Sequence, residues 1–248
     1  MKRQVSLEEI SDGRLYGRHD MVRAGCGDCK GCSACCHGMG ESAILDPLDV
    51  YRLTQGTGLS ADALMAGKLE LHVVDGIILP NLAMTGEEEA CGFLNEDGRC
   101  GIHPFRPGVC RLFPLGRYYV KADEETVQAD PAAGKTGHGS DMRRAESAGS
   151  FQYFLQTGEC PAPNKTKVRV EKWLNQPQLA RYEEYILKWH NFLARAEALV
   201  AEEKDENVVK NINLYLLKLF FMKAYEPGED FYEQFETRLA VAEELLWQ

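Results

Sequence analysis

The chain has 248 residues, 44% of them apolar, and a formal net charge of -10. That much apolar material can bury a core, which excludes a disordered chain as the starting expectation. The acidic balance argues against nucleic acid or anionic lipid as a partner. The opening MKRQVSLEEI places Glu8 and Glu9 where a secretory leader needs an apolar run, and the most apolar stretch, Leu214 to Met222, is short and interrupted by Lys218. The expectation is a cytoplasmic protein with no membrane and no nucleic-acid partner. In that setting its nine cysteines stay thiols and are available to a metal.

In chain order, residues 26–40, CGDCKGCSACCHGMG, are mostly Cys, Gly and small residues that cannot enter an apolar core, and they read as a ligand loop. Asp46-Pro47 has the form of a helix N-cap followed by proline at the first helical position, with Leu48, Tyr51 and Leu53 as apolar positions and Gly56 as the stop. Ser60 caps a second short helix ending near Gly67. LELHVV (69–74) and IILPNLAM (77–84) flank Asp75-Gly76, a dipeptide suited to a tight hairpin turn. The turn Asn95-Glu96-Asp97-Gly98 separates CGFL from RCGIH, which puts Cys91 and Cys100 on adjacent strands or beside the turn. RPGVCRLFP (106–114) reads as a short helical or irregular turn, and LGRYYV (115–120) begins a strand. Residues 129–149, rich in Gly, Ala and charge, form a loop leading into a helix around Phe151 to Leu155.

From Lys165 onward the period is helical. Leu179, Tyr182, Ile186, Trp189, Leu193 and Val200 make one face, Val209, Ile212, Leu216, Leu219 and Phe220 a second, and Phe231, Phe235, Leu239, Ala242 and Leu246 a third. Their aromatic stripe reads as ordinary core. The fold class expected is α+β: a cysteine-rich metal-binding region of short helices and β-hairpins over residues 1–164, then a helical region over residues 165–248.

The cysteines carry the chemistry. Cys26, Cys29, Cys32 and Cys35 recur every third residue and Cys36 follows at once. A CxxC turn folds back so that both sulfurs reach one ion, and Gly27 and Gly31 make that wrapping sterically cheap. Zinc is satisfied by four ligands and commonly uses two CxxC pairs, whereas here the distant Cys91, Cys100, Cys110 and Cys160 are single. That pattern suits an iron–sulfur cluster, 4Fe-4S in one or two copies, whose last corners are supplied by folding; Cys160-Pro161 has the form of a remote cluster ligand. The ligand pool is Cys29, Cys32, Cys35, Cys36, Cys91, Cys100, Cys110 and Cys160, with Cys26 the last choice. Because neighbouring side chains usually diverge, Cys35 and Cys36 are expected to serve different metal atoms or sites. Arg106 and Arg111 flank Cys110, where fixed positive charge would stabilise thiolate, or would pair with carboxylates. His37 ranks behind the thiolates as a ligand, and His103 and His138 rank lower still. Ala129 to Thr136 (ADPAAGKT) misses the phosphate-loop pattern at its first glycine and holds Pro131 inside the loop. Asn164-Lys165-Thr166 spells a sequon without meaning in a cytoplasmic protein, and Glu87-Glu88-Glu89 and Asp123-Glu124-Glu125 read as solvated loops.

The blocks Cys29-Lys-Gly-Cys32-Ser-Ala-Cys35-Cys36, Cys91-Gly-Phe-Leu, Asp97-Gly98-Arg99-Cys100-Gly-Ile and Arg106-Pro107-Gly-Val-Cys110-Arg111-Leu-Phe-Pro114 resemble the YkgJ-type cysteine-cluster family, zinc- or iron-chelating proteins named for a CxxCxxCC motif. Cys26 is additional to that pattern, and His103 stands where an aromatic residue is usual. Flagellin lysine N-methylases carry a similar motif, so the resemblance implies iron–sulfur binding without implying methyl transfer, since no glycine-rich cofactor loop follows a strand. Three readings stay open: an iron–sulfur protein exchanging electrons with a redox or substrate protein, a zinc-binding structural module that recruits a partner, and a protein-modifying enzyme like the flagellin methylases.

Overall fold

The computed structural model describes residues 6–27, 32–121 and 148–247. Cys29, the acidic run at 123–125, the loop-like stretch at 129–147 with its ADPAAGKT segment, and His138 lie outside the described residues. Strands β1 (Ser11–Tyr16) and β2 (Met21–Gly25) follow a single helical turn, α1 (Leu7–Ile10). Helix α2 (Pro47–Thr57) starts as its sequence dictates: Asp46 caps it and accepts from Asp49 N, and Asp49 accepts in return from Asp46 N. Ser60 caps α3 (Ala61–Met65) by accepting from Ala63 N.

Helix α2 does not stop at Gly56. It runs on to Thr57 and ends at Gly58, whose φ of 71° supplies the left-handed C-cap. Gly56 has a different use, because the ring of Phe105 occupies the space where a Cβ would stand.

The hairpin of β3 (Leu69–Val74) and β4 (Ile77–Leu82) pairs from Leu69↔Leu82 to Val74↔Ile77 around Asp75 and Gly76, both at positive φ. Short strands β5 (Met84–Thr85) and β6 (Ala90–Cys91) pair next, and α4 (Gly108–Leu112) precedes β7 (Leu115–Lys121). The helix expected around Phe151 to Leu155 is instead strand β8 (Ala148–Gln156), held between β1 and β7 in an antiparallel sheet. An apolar run this short does not fix its own period; aromatic residues with strands on both sides take the extended form. Strand β9 (Thr166–Arg169) pairs with β2, so helix begins only at α5 (Val170–Leu174) and not at Lys165.

The long helices α6 (Leu179–Glu202), α7 (Glu206–Leu217, continued by a π-helical turn to Met222) and α8 (Phe231–Trp247) complete the chain of elements. One core cluster joins Leu45, Leu48, Leu53, Leu79, Cys91 and Phe93 to Tyr182, Trp189, Phe192, Phe220 and Phe235, so the helices bury their aromatic stripe against the cysteine-bearing elements. A second cluster, with Tyr16, Val22, Leu112, Tyr153 and Leu174, fills the space under the three-stranded sheet. Among the described residues no helix is long and apolar enough to cross a membrane.

Candidate metal centre

Cys35 and Cys36 sit on a single 3-10 turn, Ala34–Cys36, closed by Cys36 N donating to Ser33 O. The turn is moored to β6: His37 bridges Ala90, and Gly38 N donates to Glu89 O. This places the vicinal pair beside Cys91. From Cys91 the chain enters the Asn95–Gly98 turn, where Asn95 N donates to Arg99 O and Gly98 takes a φ of 73°, then returns to bridge Leu94 with Cys100. Cys91 and Cys100 therefore stand at the two feet of one loop, as the turn residues predicted.

Both feet are built alike. In Cys91-Gly92-Phe93 the N–H of Phe93 donates to the Cys91 sulfur, and in Cys100-Gly101-Ile102 the N–H of Ile102 donates to the Cys100 sulfur. The central residue must be small at the second foot, since a Cβ on Gly101 would lie 2.8 Å from Asn95 Oδ1 and 3.2 Å from Phe93 O. Cys110 arrives on α4, whose first residue, Gly108, donates its N–H to Asp49 Oδ1 at 2.7 Å.

The charges show that these sulfurs share one environment. The thiol of Cys36 donates to Cys35 and, helped by Arg106, holds the Cys35 pKa down at about 6 against the effect of burial; the same bond pushes Cys36 up. Adjacent side chains were expected to diverge here, yet the tight turn brings the two sulfurs together. Burial pushes Cys91, Cys100 and Cys110 up, and the charge of Cys35 adds to each. Cys91 and Cys100 raise Cys36 and Cys110 as well. Each thiolate is thus made costly by the others, a repulsion that a bound cation removes. Among the described residues no three His, Cys, Asp or Glu side chains already have the spacing of ligands to one ion. The donor set is nonetheless all sulfur, the chemistry that zinc and iron centres use.

The two arginines part company. Arg106 lowers Cys35 and Cys100 by its charge while its Nη1 meets His103 Nε2 at 2.9 Å. Arg111 is turned away: it donates to the carbonyls of Arg106, Pro104 and Asn175, tying the segment to the end of α5. The carboxylate of Asp49 also acts on Arg111 by its charge.

Three further cysteines lie among the described residues. Cys32 is exposed. Cys26 follows β2, and Cys160 precedes β9 with its carbonyl accepting Lys165 Nζ; the register Gly25↔Thr166 brings both to the same end of that strand pair. Sequence reasoning missed Lys68, which donates to Gly92 O and lowers Cys91 by its charge, and Asp49, which the capping pattern explains only in part.

Residues 28–133 match the model of the CxxCxxCC family, described as "Putative zinc- or iron-chelating domain". No curated protein and no solved structure matches the chain.

Proposed function

We propose that this chain, whose residues 28–133 carry a CxxCxxCC zinc- or iron-chelating domain, is an iron–sulfur protein that exchanges electrons with a redox partner protein. The observation that carries this reading is that Cys35, Cys36, Cys91, Cys100 and Cys110, from separate segments, lie near enough for the ionisation of one sulfur to be felt by the others. A single zinc ion uses four ligands, so this set, together with Cys29 and Cys32 from the same motif, exceeds what one zinc would need. A cluster of several irons accommodates it better.

When bound, such a cluster supplies one-electron exchange. The residues of the chain tune that exchange. The N–H groups of Phe93 and Ile102 draw electron density from two sulfurs, and the Arg106 guanidinium and the Lys68 ammonium offset negative charge, all of which favours the reduced state. The deep placement of Cys91, 8% exposed, keeps water away from that sulfur.

Air-free purification tests the reading. Expected are a brown protein with visible sulfur-to-iron absorbance, and iron and acid-labile sulfide in comparable amounts. A colourless protein holding only zinc would overturn it and leave the structural zinc module in its place.

A further inference from the structure

Asp49 is 2% exposed and sits in the first turn of α2, where the capping box asks of it only that Oδ2 accept from Asp46 N, at 3.2 Å. Its other oxygen reaches across 59 residues of sequence and accepts from Gly108 N at 2.7 Å. Gly108 opens α4, the five-residue helix that carries Cys110 two positions on, and its N-cap, Pro107, offers no side-chain cap. Asp49 is thus the cap of α4, supplied from another helix.

The surroundings leave α4 little freedom. A Cβ on Gly108 would stand 2.5 Å from the Tyr182 hydroxyl, which accepts from Arg117 Nη2 at 2.9 Å. Asp46 Oδ1, which accepts from Asp49 N, also accepts from the Tyr185 hydroxyl at 3.0 Å, and that hydroxyl accepts from Leu48 N. Both tyrosines come from α6.

We infer that Asp49 is a positioning residue for the metal centre: it fixes α4, and with it the sulfur of Cys110, through its buried hydrogen bond from Gly108 N. The inference rests on the reading of the cysteine group as a metal centre.

The test is a titration of the full reduced chain with Co2+ in the absence of air, following thiolate-to-cobalt absorbance, alongside thermal unfolding of the metal-free protein. Asp49→Ala and Asp49→Ser remove the reach to Gly108, and Ser keeps a short acceptor for the α2 cap if Ala fails to fold. Both are expected to weaken Co2+ binding by about 10- to 100-fold, the usual effect of losing a group that orients a ligand. Asp49→Asn, whose carbonyl oxygen can still accept from Gly108, should stay within about threefold of wild type. Tyr185→Phe is the structural control: it loses hydrogen bonds to Asp46 and Leu48, lowers thermal stability, and leaves the Asp49 to Gly108 bond in place, so its cobalt affinity should change little. Wild-type affinity and spectrum in both Asp49→Ala and Asp49→Ser would overturn the inference, as would an equal loss of affinity in Tyr185→Phe. A wild-type chain that takes up no cobalt and no iron would instead overturn the metal-centre reading itself, and the inference with it.

Discussion

Cys35 and His190 show how far a neighbour can move a titration. Cys35 ionises early because the thiol beside it donates to it, so the group that should bind metal first near neutral pH is the one with a hydrogen-bonded twin. His190 moves the other way. Its ring lies flat on Tyr119, with centroids 3.6 Å apart, and burial, reinforced by the charge of Arg117, lowers its pKa to about 4. The folded protein therefore takes up this proton less readily than the unfolded chain does, whose histidine titrates near 6.5. Between those values the unfolded state binds more protons, so folding stability falls as the pH drops through the window. Urea unfolding at pH 7 and at pH 5 should show a loss of which His190 accounts for about 1–2 kcal/mol. His190→Gln, which cannot titrate, should remove that part of the loss, and an unchanged pH dependence would refute the assignment.

At the scale of elements, some glycines of this chain make room for a neighbour and not for a turn. An exposed helical glycine usually gains up to about 1 kcal/mol on replacement by alanine. In α2 the same change at Gly56 meets the Phe105 ring, and Phe105 belongs to the 3-10 turn that leads through Arg106 into α4. Gly56→Ala is therefore expected to destabilise by about 1–3 kcal/mol, as overpacking does. A raised thermal midpoint in this variant would show that the turn yields freely. Strand β8 teaches a related lesson. Its aromatic run is a central strand because β1 and β7 are available on its two sides, a fact held by residues far from it in sequence.

For the molecule as a whole, the decisive feature is the core cluster shared by α2, the β3–β4 hairpin, Cys91 and Phe93 with α6, α7 and α8. Elements that bury the same surface should unfold together, so circular dichroism of the helices and near-ultraviolet signals of the aromatic core are expected to report one transition. Removing metal with a chelator should lower that transition without splitting it, because a ligand that binds only the folded state stabilises all that folds with it. Two separated transitions would mean that the cysteine region and the helices are independent. Much of this was legible in the sequence. The capped start of α2, the Asp75-Gly76 hairpin, the turn bringing Cys91 to Cys100 and the three helical faces are local patterns, fixed by backbone preference and periodicity within about twenty residues. The cysteine spacing by itself pointed to metal binding, because thiols recurring every third residue can converge on one ion. Tertiary structure alone decided that Cys35 and Cys36 touch, that Arg106 faces the sulfurs while Arg111 serves backbone carbonyls, and that Asp49 caps a helix 59 residues away. Each of these depends on which distant group fills the space around a side chain, and no short-range pattern encodes that.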